Sequence, residues 1–434
     1  MKRIGLVVNP IAGMGGRVGL KGTDGLAALE QARALGATPL SGERSRIALT
    51  VLRERLGDGV EVLAPSGSMG ADIAESLGIR VVIPNTVAGS HDWKEDGSSE
   101  ETGHHPTRDS STSVGMTGKT AGMTGTTAGM TGSAAGMAGK TAGMAVEAAK
   151  TAGQDTSSAD TQAAAKAIIE AGVDLLLFAG GDGTARDIYA ATGTGPPVLG
   201  IPTGVKMHSA VYATTPRAAG EAAAIFLTAA TPKLRESEVM DIDEEAFRAG
   251  RLSARLYGYL QVPAQRGLVQ SLKSGSTSGD GDLAGIAADI AERMQDGALW
   301  IMAPGTTTRA IAGRIGMAKT LLGVDLACRG ELVATDATEQ TILEHLDGVP
   351  ARILVTPIGG QGYLFGRGNQ QISPEVIRRV GKEHIVVVAA SAKLAGLAGG
   401  PLLVDTGDPG LDAELAGYIR VVTGFHQESV QRVA

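Results

Sequence analysis

The run Val173-Asp174-Leu175-Leu176-Leu177-Phe178-Ala179, with the five residues after it, Gly180-Gly181-Asp182-Gly183-Thr184, constrains this chain more than any other stretch. A nearly all-apolar run of that length has no solvent face. It reads as a strand buried on both sides, which implies a parallel sheet with helices over its faces. Three glycines within four residues then stand at the strand's carboxyl end, where ligands enter open α/β sheets. Without a Cβ, the backbone N–H groups there can approach phosphate oxygens closely, and a helix starting next to them offers its positive end. An aspartate in such a loop is repelled by phosphate unless it has a task. It can accept a proton from a substrate hydroxyl or hold Mg²⁺ between phosphates. A plain Asp-Gly turn needs neither the extra glycines nor this position.

The surrounding pattern agrees with a parallel sheet. Strand signals at Ile4–Asn9, Val60–Ala64, Arg80–Pro84, Val173–Ala179 and Pro197–Ile201 alternate with helical periodicity at Leu26–Leu35, Ser45–Leu56, Ala71–Leu77 and Arg217–Leu227. Asp160 or Thr161 is expected to cap a helix that ends before Gly172. Gly180–Thr184 is expected to be a turn, followed by a short helix at Ala185–Ala191. Past Pro232 the pattern lengthens into Glu238–Ile242 and Leu252–Val262, which predict antiparallel strands. Strand–helix signals return at Leu299–Ala303, Arg352–Thr356, Ile385–Ala389 and Leu402–Asp405. The expected organisation is an α/β domain over 1–231 and a mixed, β-rich domain over 232–434.

Residues 94–155 break this alternation. Methionines recur every seven residues at Met116, Met123, Met130, Met137 and Met144, but each repeat carries glycine, at roughly 1 kcal/mol of helix cost apiece. A coiled coil is therefore rejected in favour of a solvated, flexible low-complexity insertion. Gly118-Lys119-Thr120 and Gly139-Lys140-Thr141 imitate the end of a Walker A loop. Ser113 and Ala134 stand where its first glycine is required. His104-His105 has no carboxylate or thiol beside it and reads as solvated.

Composition narrows the setting. A formal net charge of -7 argues against a general nucleic-acid binder, and the single cysteine, Cys328, excludes an intrachain disulfide and suits a reducing compartment. The first apolar run is too short for a signal-peptide core, and none approaches a membrane span of roughly 18 residues. A cytoplasmic protein without a membrane or nucleic-acid partner is expected, and a homo-oligomer is the expected assembly.

Other loops carry possible chemistry. Gly13, Gly15, Gly16 and Gly19 follow the first strand, with Arg17 and Lys21 as charge partners for a phosphate; a plain turn is the alternative. Lys206, in the loop Ile201-Pro202-Thr203-Gly204-Val205-Lys206-Met207-His208-Ser209, could neutralise a transferring phosphate or be a solvated lysine. His208 reads as a packed or capping side chain, with a catalyst as the alternative. Gly359-Gly360-Gln361-Gly362 offers a further amide cradle, with Arg367 and Asn369 following it as candidates to read a ribose or phosphate; a structural turn is the alternative.

Gly180–Thr184 after an apolar strand resembles the phosphate-binding motif shared by NAD kinases, diacylglycerol and sphingosine kinases and bacterial 6-phosphofructokinases. Asn9-Pro10-Ile11-Ala12-Gly13 resembles the Asn-Pro-x-x-Gly turn of the lipid kinases. Ala303-Pro304-Gly305-Thr306-Thr307-Thr308-Arg309 is similar to the Thr-Gly-Ser-Thr-Ala-Tyr segment of NAD kinases, with serine, alanine and tyrosine replaced. Together with Thr356–Tyr363, these stretches resemble the ATP-NAD kinase-like branch that includes proteins encoded near acetoin-utilisation genes. The resemblance implies the NAD kinase/diacylglycerol kinase fold with its active site in the interdomain cleft. It implies Mg²⁺-dependent phosphoryl transfer from ATP, or from polyphosphate, to the 2′-hydroxyl of the adenosine ribose of NAD. Asp182 would be catalytic. Asn9, Gly13, Gly180, Gly181, Gly183, Thr184, Thr203, Gly204, Lys206, Gly305, Thr306, Thr307, Gly360 and Gly362 would bind the nucleotides, and no residue is assigned to a metal. NAD kinases also carry an Asn-Glu pair on the NAD that receives phosphate. This sequence has no such dipeptide; Glu238, Asp241 and Asp243 near the expected place could substitute or could form an ordinary strand edge. The alternatives are a kinase of the same superfamily acting on a lipid or polyol, and a nucleotide-binding regulator without turnover.

Overall fold

The computed structural model describes residues 1–20, 26–84, 156–193, 195–205, 207–242, 254–270, 280–358, 361–397 and 399–434. They belong to one compact unit built from Met1–Val87 and Asp155–Ala434. The low-complexity stretch 94–155, Lys21, Lys206, Asp243, Gly359 and Gly360 lie outside the described residues.

The first half alternates as its sequence predicts: β1 (Lys2–Val8), α1 (Leu26–Ala34), α2 (Ser41–Leu56), β2 (Val60–Leu63), α3 (Ala71–Ser76), β3 (Arg80–Val82), α4 (Ser158–Glu170), β4 (Leu175–Gly180), α5 (Asp182–Thr192), β5 (Val198–Pro202) and α6 (Pro216–Thr228). The five strands form one parallel sheet in the order β3-β2-β1-β4-β5. All six residues of β4 are buried, as are the five of β5. Leu175, Leu176, Leu177 and Phe178 join Leu6, Leu49, Ile168 and Tyr212 in one core. Full burial of each such side chain contributes about 1.5–3 kcal/mol.

Two local expectations are corrected. The helix after residue 156 is capped by Ser157, not by Asp160 or Thr161. The Ser157 hydroxyl accepts from the Asp160 N–H while Asp160 reaches back to the Ser157 N–H, a reciprocal box that satisfies two helix-end donors. The glycine loop is also shorter than expected. Helix α5 begins at Asp182, so Asp182, Gly183 and Thr184 occupy its first turn instead of a preceding turn. A carboxylate is favoured there by the helix's positive end, which offsets the poor helix propensity of aspartate and glycine.

An antiparallel hairpin, β6 (Leu234–Ile242) and β7 (Ala254–Pro263), follows and packs on α5. Gly258 gives the Tyr189 ring its room there, since a Cβ would come within 2.3 Å of it. The remaining chain runs α7 (Asp280–Arg293), β8 (Leu299–Met302), α8 (Thr306–Arg314), β9 (Asp325–Cys328), β10 (Glu331–Ala334), α9 (Glu339–His345), β11 (Ala351–Val355), β12 (Tyr363–Phe365), α10 (Pro374–Val380), β13 (Ile385–Val388), α11 (Ser391–Ala395), β14 (Leu403–Val404), α12 (Pro409–Leu415), β15 (Gly417–Gly424) and β16 (Gln427–Val433). Seven strands make a mixed sheet, β10-β9-β8-β11-β13-β15-β16, with a parallel centre and antiparallel edges. Helices α7 and α8 pack one face through Ile286, Ile290 and Ile311, and α9, α10 and α12 the other through Ile342, Ile377 and Leu411. Among the described residues no helix is long and apolar enough to cross a membrane.

Candidate functional site

The carboxyl edges of β1, β4 and β5 bring together most of the glycine-loop residues singled out in the sequence. Gly180 must lack a side chain, because a Cβ would meet Thr184 at 2.2 Å. Its carbonyl accepts the N–H groups of Thr203 (3.2 Å) and Gly204 (3.1 Å), which joins the end of β4 to the loop after β5. Asn9 spans the next gap. Its side-chain amide donates to Thr184 Oγ1 at 3.2 Å while its Oδ1 accepts the Ile11 N–H at 3.2 Å. Gly13 adopts a φ of 85° and passes so close to Thr203 that a Cβ would lie 2.5 Å from its carbonyl oxygen. Asn9, Gly13, Gly180, Thr184, Thr203 and Gly204 thus form one contiguous edge, with Gly181 and Gly183 on the adjoining turn. The buried Thr203 hydroxyl has no hydrogen-bond partner among the described residues. A buried donor left in that state asks for a ligand atom or water.

Asp182 is buried and tightly held. Oδ2 accepts the His208 N–H at 2.7 Å and Oδ1 the Ser209 N–H at 3.0 Å, while His208 Nδ1 stands 3.1 Å from Oδ2. The Tyr212 hydroxyl donates to the Gly181 carbonyl below it, and burial pushes that phenol well above its ordinary range. Gly200 makes room for the Tyr212 ring, which a Cβ would meet at 2.3 Å. His208, read from sequence as a packing or capping residue, is instead the side-chain partner of Asp182. Nothing short-range signals this pairing, since the two residues belong to α5 and to the loop after β5.

Of the carboxylates near the missing Asn-Glu position, that of Asp241 accepts from Arg186 at 2.8 Å, one turn along α5 from Asp182; at Glu238 the backbone carbonyl accepts the Ala210 N–H at 2.9 Å. Arg367 and Asn369 are structural here. Both are buried; Arg367 donates to Asp405, to the Gly366 carbonyl and to the Thr214 carbonyl, and stacks 4.4 Å over the Tyr363 ring. Asn369 ties Gly366 to Leu364. Asp405 accepts from both Arg367 and Arg44, and Arg44 in turn donates to the Pro202 carbonyl at 2.9 Å. This buried Arg–Asp–Arg group ties α2 and the end of β5 to the segments that follow β12 and β14, which pair as a separate two-stranded sheet. Asp405 is held below the ordinary carboxylate range by the two guanidiniums, against the upward push of its burial.

The segment 361–370 faces the loop after β5. Gln361 Nε2 contacts the Met207 carbonyl at 3.4 Å, and the Gly368 N–H donates to the Val205 carbonyl at 3.0 Å. Gly362 sits there with a φ of 79° against Leu397. Gly305, Thr306 and Thr307 belong to a different edge, the carboxyl ends of β8 and β11, where Gly305 holds a φ of 133° and packs beside Thr356. Lys393 stands there too, with Nζ 3.1 Å from Thr356 Oγ1 and 3.4 Å from Thr307 Oγ1. Sequence reading passed over Lys393. The signal was present: a lysine five positions after an apolar strand, behind small residues, as in the stretch that ends at Lys206.

A cleft of about 620 Å³ lies beyond Arg17, lined by Glu339, Glu375, Arg378, Arg379 and Asp408 among others. Its charges pair with one another, Arg378 with Asp408 at 2.7 Å and Arg379 with Glu375 at 2.9 Å, so it offers no unneutralised charge to a ligand. Among the described residues no three His, Cys, Asp or Glu side chains group to hold a metal, and Asp182 is committed to N–H contacts. These residues do not fit a resident Mg²⁺ site.

A search of curated proteins found no match, and neither did a search of solved structures. Two family models do match. The ATP-NAD kinase N-terminal domain covers residues 4–230 and the ATP-NAD kinase C-terminal domain covers 311–433. A phosphate-type glycine edge on a parallel sheet and these matches over most of the length agree, and the chain belongs to the ATP-NAD kinase family.

Proposed function

We propose that this kinase transfers a phosphoryl group from ATP to the 2′-hydroxyl of the adenosine ribose of NAD, in the cleft between the two sheets. The observation that carries the reading is the Asp182–His208 pair at the glycine edge of β4. Asp182 accepts from Nδ1, so the imidazole keeps Nε2 as its basic atom. That nitrogen takes the proton of the acceptor hydroxyl as its bond to phosphorus forms. Asp182 orients the ring and stabilises the imidazolium, a different role from the direct proton acceptor that the sequence alone suggests. The N–H groups of Gly181, Gly183 and Thr184 and the unpartnered Thr203 hydroxyl receive phosphate oxygens. Most of the barrier reduction comes from holding donor and acceptor in line and neutralising charge, since phosphoryl transfer asks little covalent chemistry of the protein. A divalent cation, which the family typically uses, enters as part of the nucleotide substrate, and no step here depends on a protein-held one.

One observation favours a second reading, a nucleotide-binding regulator without turnover: both oxygens of Asp182 already accept backbone N–H groups, as a purely structural aspartate's would. The test is to incubate the purified protein with ATP and Mg²⁺ against NAD, NADH, diacylglycerol and small polyols and to weigh the products. NADP is the expected product. Phosphorylation of another acceptor would move the substrate assignment. Calorimetric binding of NAD or ATP with no product on any acceptor would sink the kinase reading in favour of the regulator.

A further inference from the structure

Lys393 is a cation without a counter-charge. Its Nζ lies against two neutral hydroxyls, Thr356 Oγ1 at 3.1 Å and Thr307 Oγ1 at 3.4 Å, and among the described residues no carboxylate stands within ion-pair distance of it. At the start of its short helix, the Asp282 carboxylate of α7 accepts the Ser391 N–H at 2.9 Å. Thr307 and Thr356 are themselves buried, so the ammonium is held where water can reach only part of it. Lys319, a buried lysine between α8 and β9, shows what a structural role looks like. Lys319 donates to the Thr320 and Gly323 carbonyls and lies 3.6 Å from Asp325, so its charge is balanced and its donors are used. Lys393 has neither arrangement. Ammonium carries three donors, and hydroxyls can serve two of them while leaving the charge uncompensated. Desolvation lowers the Lys393 ammonium to about 8, the mark of a cation left partly unsolvated with no anion beside it.

Its position is also that of a ligand site. Thr307, Thr356 and Lys393 follow β8, β11 and β13, three adjacent parallel strands, at their carboxyl ends. Gly305, at a φ of 133°, brings the backbone of the first turn of α8 close to Thr356. From Thr356 the chain reaches Gln361, which contacts Met207 beside His208. Five residues span at most ~18 Å, which bounds how far Thr356 lies from Gln361.

We propose that Lys393, with the hydroxyls of Thr307 and Thr356, forms a phosphate-binding site at the carboxyl edge of the second sheet, taking a phosphate of a nucleotide whose reacting end lies at His208. The assignment of a nucleotide rests on the kinase reading; the anion site does not. The phosphate can belong to ATP or to the pyrophosphate bridge of NAD.

The experiment measures ATP, NAD, adenosine and inorganic pyrophosphate binding by calorimetry to the wild-type chain, Lys393→Met and Lys393→Arg. Lys393→Met is expected to weaken ATP or NAD by about 10- to 100-fold, the scale of one charge-assisted contact, with adenosine unchanged and Lys393→Arg close to wild type. Whichever of ATP and NAD is weakened identifies the source of the phosphate. Melting should not fall in Lys393→Met, because a desolvated charge has been removed. Unchanged affinity for both nucleotides would overturn the site, as would equal loss of adenosine. A lower melting temperature with unaltered binding would make Lys393 a strut and also overturn it. If the wild type binds no nucleotide at all, the kinase reading fails by itself. The anion site is then decided by whether pyrophosphate protects Lys393 from acetic anhydride, with protection sustaining it and unhindered labelling ending it.

Discussion

Single residues in this protein are fixed by close approach as much as by chemistry. Gly180 is the sharpest case: a methyl group there would overlap Thr184 at 2.2–2.7 Å, and Thr184 is itself held by Asn9. Gly180→Ala should lower stability by about 1–3 kcal/mol, the usual cost of overpacking, and denaturant midpoints will show it. Asp182→Asn probes the neighbouring position differently. It keeps the shape but can turn an amide N–H toward the two backbone donors and loses the acceptor that orients His208. The expected result is a fall in turnover of about 10²–10⁴ with the far-UV spectrum preserved. Near-wild-type turnover would reduce Asp182 to a turn residue. The place of this loop, at the carboxyl end of a buried central strand, was legible in the sequence, because the apolar run before the glycines has no solvent face. The Asp182–His208 pair was not legible, since it depends on two segments meeting in space; Lys393 was legible in principle but lacked the glycines that drew attention elsewhere.

At the scale of elements, propensity and pattern carried most of the first sheet. Strand β4 has no polar face, so only a central parallel position satisfies it, and the structure places it between β1 and β5. Boundaries were harder. Helix α5 starts three residues earlier than Ala185 because its N-terminal turn accepts Asp182 and Gly183, which propensity alone assigns to a turn. Helix α4 starts at Ser158 because the Ser157–Asp160 box outweighs the later candidates. Ser157→Ala removes the acceptor for the Asp160 N–H. It should cost about 1 kcal/mol, read as a shifted urea midpoint with an unchanged slope. The strands of the second sheet were read correctly at β8, β11 and β13, which are apolar throughout except for Arg352 in β11. The pair β15 and β16 gave no comparable signal, because most of their side chains are exposed or half-buried, so neither a continuous apolar run nor a strict alternation marks them.

Over the whole molecule, two apolar cores are joined by a polar device, Asp405 between Arg44 and Arg367. Asp405→Asn would leave two buried guanidiniums without their shared anion and should cost about 3–5 kcal/mol. The same group predicts a pH effect. The carboxyl of Asp405 is depressed in the folded chain relative to about 4 in the unfolded one. Its stabilisation is therefore fully present above that unfolded value and is lost as pH falls through the lower, folded value. Chemical denaturation from pH 7 down to pH 3 should show the wild type losing stability steeply at the acid end and Asp405→Asn losing less. Parallel losses would mean that other carboxylates dominate.

The Arg44–Asp405 contact joins positions 361 residues apart. On a ribosome adding about 5–20 residues per second, α2 would wait roughly 20–70 s for that partner to be made. Until then Arg44 has the Pro202 carbonyl but not its anion, so its charge stays hydrated at the mouth of the first sheet. A nascent chain stalled before Asp405 should then expose the Arg44 region to protease, and one stalled well past it should not.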